Sequence, residues 1–124
     1  MIDFHLNYSS ILLENSRIAE ATIQIETAED ILYNEYPKFK PIDYGTKVSI
    51  TKAKIELRQN LSAKSSETIF KHLDYLNDHK GYNSEYYCLQ ARKFLLTLSV
   101  NEKFTVEKKK NVNIVHLNYI NLYL

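Results

Sequence analysis

The stretch Met1-Ile-Asp-Phe-His-Leu-Asn-Tyr8 alternates strictly, with Ile2, Phe4, Leu6 and Tyr8 on one side and Asp3, His5 and Asn7 on the other. A period of two is the pattern of a half-buried strand, whereas a helix repeats near 3.6 residues. Residues 2–8 are therefore expected to be a strand, and that reading decides the fold class. Toward the other end, Phe104-Thr-Val106, Glu107-Lys-Lys-Lys110 and Asn111-Val-Asn-Ile-Val-His-Leu117 read as strand, turn, strand. β-Branched residues alternate there, and repeated Asn disfavours a helix. The N-terminal strand and the C-terminal hairpin would form one small antiparallel sheet covered by about four helices, a mainly helical α+β fold. The alternative is an all-α bundle, because Val112, Val115, Tyr119 and Leu122 also fit helical spacing.

Between these ends the pattern is helical. Ile11, Ile18, Ile25 and Leu32 recur every seven residues, with Ala19, Ala21 and Ala28 beside them. Ser9 or Ser10 is placed to cap a long helix that runs to about Tyr36. Within it, Thr27-Ala-Glu-Asp30 resembles a capping box where the helix could restart, and Ala21-Thr-Ile-Gln-Ile25 could form a short strand. Pro37 and Pro41 end it, because the residue before a proline is pushed out of the α region. From Thr46 the set Ile50, Ala53, Leu57 and Leu61 marks a second helix. Ser65 and Ser66 would cap a third, with Ile69, Phe70, Leu73 and Leu76 as its face and Gly81 as its stop. A fourth starts at Ser84 and buries Tyr87, Cys88, Ala91, Phe94, Leu95 and Leu98. No internal repeat and no linker divides the sequence, so residues 1–124 are expected to be one domain.

Composition narrows the chemistry. Sixteen Lys/Arg stand against fifteen Asp/Glu in 124 residues. A chain of this size buries roughly two-thirds of its unfolded surface, so it needs no metal or disulfide to fold. One cysteine excludes a disulfide framework, and two glycines leave little material for a phosphate-cradling loop. With neither a signal-peptide pattern nor an apolar run of the roughly 18 to 20 residues that a membrane span needs, the expected location is cytoplasmic. Ile, Lys, Asn and Tyr, all with A/T-rich codons, together make 46 of the 124 residues, which points to a gene in an A/T-rich genome or on a mobile element.

No catalytic pattern stands out. His72 and His79 are seven residues apart, roughly 10 Å along a helix, too far to share one metal ion. Both are expected to be solvated, while His5 and His116 would lie on the strands. Cys88 falls within an apolar stripe and reads as a buried thiol. Glu29-Asp30 read as surface charge, and the serines read as caps. The expectation is a protein that is not an enzyme and carries no cofactor and no metal.

Charge is uneven. Residues 1–45 hold eight acids and three bases, and the remainder compensates. Glu20, Glu26, Glu29, Asp30 and Glu35, with Tyr33 and Tyr36, would give an acidic, tyrosine-bearing surface suited to a basic protein partner. The expected function is a non-catalytic protein-binding module, most concretely a stoichiometric inhibitor such as an immunity protein that neutralises a toxin, for instance a nuclease. The other way to use that charge is internal, with the two halves packing through complementary fields. The alternative function is a small nucleic-acid-associated protein using Lys103, Lys108, Lys109 and Lys110 at the hairpin tip. Lys52, Lys54 and Arg58 would add charge, and Tyr82, Tyr86 and Tyr87 stacking surface.

Overall fold

Residues 2–8 do not form a strand. A computed structural model describes residues 1–38, 41–79 and 83–101, the last three as backbone. It contains five helices: α1 (Ile2–Glu14), α2 (Ile18–Glu35), α3 (Ile42–Arg58), α4 (Ser62–Asp78) and α5 (Ser84–Asn101). Among the described residues there is no strand, so the expected α+β fold with its sheet is replaced by the all-α alternative. The reason lies in α1. Ile2 and Leu6 are buried, whereas Phe4 and Tyr8 are exposed. The buried set continues through Ser9, Leu12 and Leu13, at helical spacing. The alternation arises because an inner and an outer apolar stripe of one helix interleave over two turns. The hairpin expected over 104–117 lies outside the described residues.

The long helix expected from Ser9 to Tyr36 is cut in two. Asn15-Ser16-Arg17 turns the chain, with Ser16 in the left-handed region at φ 61°. Arg17 N–H donates to the Leu12 carbonyl at 2.8 Å and Ser16 N–H to that of Leu13 at 3.0 Å. These are the two closing bonds of a Schellman motif, formed here without glycine. Gln59-Asn60-Leu61 repeats the device between α3 and α4. Asn60 has φ 62°, Leu61 N–H donates to Glu56 and Asn60 N–H to Leu57.

The two hairpins match inside as well as at their turns. Ser9 Oγ donates to the Ala21 carbonyl at 2.9 Å, and Ser65 Oγ to the Ala53 carbonyl at 2.6 Å. Ser9 and Ser65 are therefore not caps. Both are buried, Ser9 in the middle of α1 and Ser65 in the first turn of α4, each facing an alanine where two helices cross, which lets the axes approach closely. Serine and alanine trade places between the hairpins, so sequence identity hides a structural repeat.

α3 packs against all four other helices, and α1 packs on α2 and α4 on α5. Val48 and Ile55 join the first core with Leu6, Leu12, Ile25 and Leu32. Ile42 and Ala53 join the second with Ile69, Leu76, Leu95 and Leu98. Because α3 is enclosed on several sides, the single stripe Ile50, Ala53, Leu57 and Leu61 misdescribes it. Ile50 and Leu57 are half-buried and Leu61 is exposed, while Thr46, Thr51 and Glu56 are buried. In α5 the expected face holds: Cys88, Ala91, Leu95 and Leu98 are buried, with Tyr87 and Phe94 half-buried beside them.

Candidate functional site

α2 and α4 both lean on α3 but make no helix contact with each other. The gap between them is an open groove with a cavity volume of about 540 Å³ and α3 as its floor. Glu26, Glu29 and Tyr33 come from the α2 wall, which the i, i+3, i+7 spacing aligns on one face. Gly45, Ser49 and Lys52 line the floor, and Lys64, Glu67, Lys71, His72 and Tyr75 the α4 wall.

Ion pairs neutralise part of this lining. Lys52 Nζ lies 3.2 Å from Glu29 Oε2 and joins floor to wall. Lys64 Nζ lies 3.8 Å from Glu56 Oε2, and Lys71 pairs loosely with Glu67 along α4. Glu56, only 4% exposed, also accepts the Thr68 hydroxyl at 2.6 Å. Among the described residues Glu26 and Asp30 make no ion pair.

The acidic set divides. Glu26, Glu29 and Tyr33 meet in the groove, and Asp30 is exposed one residue beyond Glu29. Glu20 stands at the start of α2, hydrogen-bonded to Arg17, whose ionisation that bond pushes further upward. Glu35 is half a turn round the helix from Glu26, and it and Tyr36 are exposed at the far end of α2. One contiguous surface of seven residues is therefore not formed.

No family model matches this chain, and no curated protein or solved structure matches it. Its site is defined by its own geometry alone.

His72 departs from expectation. It is 7% exposed, and its Nε2 lies 2.7 Å from the Thr46 hydroxyl. Its ring stacks toward Tyr75, which stacks on the exposed His79 at a centroid distance of 4.2 Å. A Cβ on Gly45 would stand 3.4 Å from His72 Cε1, so a small residue there leaves the imidazole its place. His5 lies on α1, its Nδ1 2.6 Å from Gln24 Oε1 of α2. His116 lies outside the described residues. Among the described residues no three His, Cys, Asp or Glu side chains gather to hold a metal, and no helix is long and apolar enough to cross a membrane.

The basic residues also separate. Lys103, Lys108, Lys109, Lys110 and Tyr82 lie outside the described residues. Lys52 belongs to the groove and Lys54 is exposed. Arg58 donates to the Leu13 carbonyl and to Ser16 Oγ, tying the end of α3 to the first turn. Tyr86 is exposed and meets the half-buried Tyr87 edge to face. The α4 wall was not found from sequence, although Glu67 and Lys71 at i, i+4 were a readable signal.

Proposed function

We propose that the chain is a protein-binding module whose groove between α2 and α4 receives a basic segment of a partner. The observation that carries this reading is the pair Glu26 and Asp30, two carboxylates four residues apart on an exposed helix face with no ion pair among the described residues. Like charges at that spacing cost a helix a few tenths of a kcal/mol, and a partner's lysine or arginine would offset the cost. Tyr33 beside them offers an aromatic ring with a polar tip, which suits an interface. The more specific form, a stoichiometric inhibitor such as an immunity protein covering a basic catalytic cleft, rests on small size and on this acidic wall.

The test is capture from host lysate with tagged wild type and with a Glu26→Lys/Glu29→Lys/Asp30→Lys variant, eluted in salt steps. A basic protein held by wild type in near-equal amount, and lost by the variant with helical circular dichroism unchanged, supports the reading. Equal capture by both, or nucleic acid with no protein, overturns it; the second result favours the lysines at 103 and 108–110.

A further inference from the structure

α1 is apolar on two sides. Its inner face buries Ile2, Leu6, Leu12 and Leu13, while Phe4, Tyr8 and Ile11 form a second stripe that is 63%, 37% and 54% exposed. A surface helix ordinarily turns polar residues outward, and one that is apolar all round is ordinarily buried all round. The stripe is continuous, since the Phe4 and Tyr8 rings lie 5.9 Å apart and Ile11 follows at i+3 from Tyr8. Among the described helices α1 packs only on α2 and α3, neither of which covers it.

We propose that this face of α1 docks an amphipathic helix of a partner protein, one that carries Lys or Arg along the edge that meets Asp3 and Glu14. Those two exposed acids are eleven residues apart, three turns or about 16 Å along one edge of the stripe. Glu14 makes no ion pair among the described residues, and Asp3 accepts only the Tyr44 hydroxyl, on Oδ2, leaving Oδ1 for a cation.

Charge decides against an antiparallel second copy of this chain. An antiparallel two-fold pairing of α1 would set Asp3 of each copy against Glu14 of the other, two like-charge contacts. A partner helix with basic residues at both ends of its edge turns both contacts favourable. Phe4, Tyr8 and Ile11 on successive turns are the spacing by which one amphipathic helix anchors on another. This surface lies on a different helix from the groove, and the inference does not rest on the binding role given to it.

The test is a display library of amphipathic helical peptides with a fixed apolar face and randomised edges, selected on the full chain. Selected peptides are expected to carry Lys or Arg about three turns apart on one edge and to bind at least tenfold more weakly to Phe4→Ser/Ile11→Ser. Asp3→Asn/Glu14→Gln should reduce their preference for basic over neutral edges, and Glu26→Lys/Asp30→Lys should not. Circular dichroism confirms that each variant is folded. Absence of binders, binders indifferent to Phe4→Ser/Ile11→Ser, or acidic edges among them would overturn the proposal. So would a concentration-dependent dimer in sedimentation that Phe4→Ser/Ile11→Ser abolishes.

Discussion

The Ser9 hydroxyl donates to the Ala21 carbonyl at 2.9 Å, at a point where neither residue is reached by solvent. The contact depends on two small side chains, and it recurs as Ser65 on Ala53 in the second hairpin. Ser9→Ala keeps the packing and loses the hydrogen bond, at about 1 kcal/mol. Ser9→Leu forces the helices apart and should cost more, about 1–3 kcal/mol or beyond. Denaturant melts of the two variants check the order; equal losses would refute the close-packing account.

Glu56 and its two partners offer a contrast between a buried and an exposed contact. Thr68→Val removes the 2.6 Å hydrogen bond to the buried carboxylate and should destabilise by about 1.5–3 kcal/mol. Lys64→Ala removes an ion pair whose lysine is largely exposed and should cost at most about 0.5 kcal/mol. Stability measured for both single variants gives the comparison directly.

The α1–α2 and α3–α4 turns each hold a non-glycine residue at positive φ, Ser16 and Asn60, and Asn83 just before α5 is a third. Asn60→Gly should be neutral or stabilising by a few tenths of a kcal/mol, since asparagine already tolerates this region and glycine does so without strain. Asn60→Val should cost about 1–2 kcal/mol, because its Cβ crowds the following carbonyl. Thermal unfolding of the pair tests whether the left-handed turn, and not the asparagine side chain, is what the site requires.

Asp30→Lys places a cation four residues after Glu26, turning a like-charge pair into an attractive one. The variant should be more stable by roughly 0.5 kcal/mol, yet weaker toward a basic partner. A gain in melting temperature together with a loss of binding would mark Asp30 as kept for function. A loss of both would mean that the acid supports the fold.

Two phenols should titrate late. Burial, then the charge of Asp43, pushes the Tyr87 phenol above its ordinary value of 10.0. The hydrogen bond to Asp3 does the same for Tyr44. In each case the unfolded chain loses the proton first, so stability associated with the group is full below pH 10 and falls as pH rises through the folded value. Phenolate absorbance followed with pH should show an alkaline component that Tyr87→Phe removes, and Asp3→Asn should bring Tyr44 back toward the ordinary value.

The sequence by itself determined the helices whose surroundings are simple. α5 faces its core on one side, so Tyr87, Cys88, Ala91, Phe94, Leu95 and Leu98 could be read as a stripe, and its start at Ser84 with them. The acids of α2 were also legible as candidates, but not their division. Only tertiary packing decides that Glu29 meets Lys52 while Glu26 lines the open groove. α1 and α3 were misread for one physical reason. Periodicity reports a helix correctly when a single face is buried, and each of these has more than one demand upon it. The outer stripe of α1 interleaves with the inner one and imitates a strand. α3 is enclosed by four helices and buries Thr46 and Glu56 because His72 and Thr68 come from α4 to meet them. Such partners are 26 and 12 residues away in the chain. No local pattern announces them, and only the folded crossing of α3 and α4 brings them within hydrogen-bond distance.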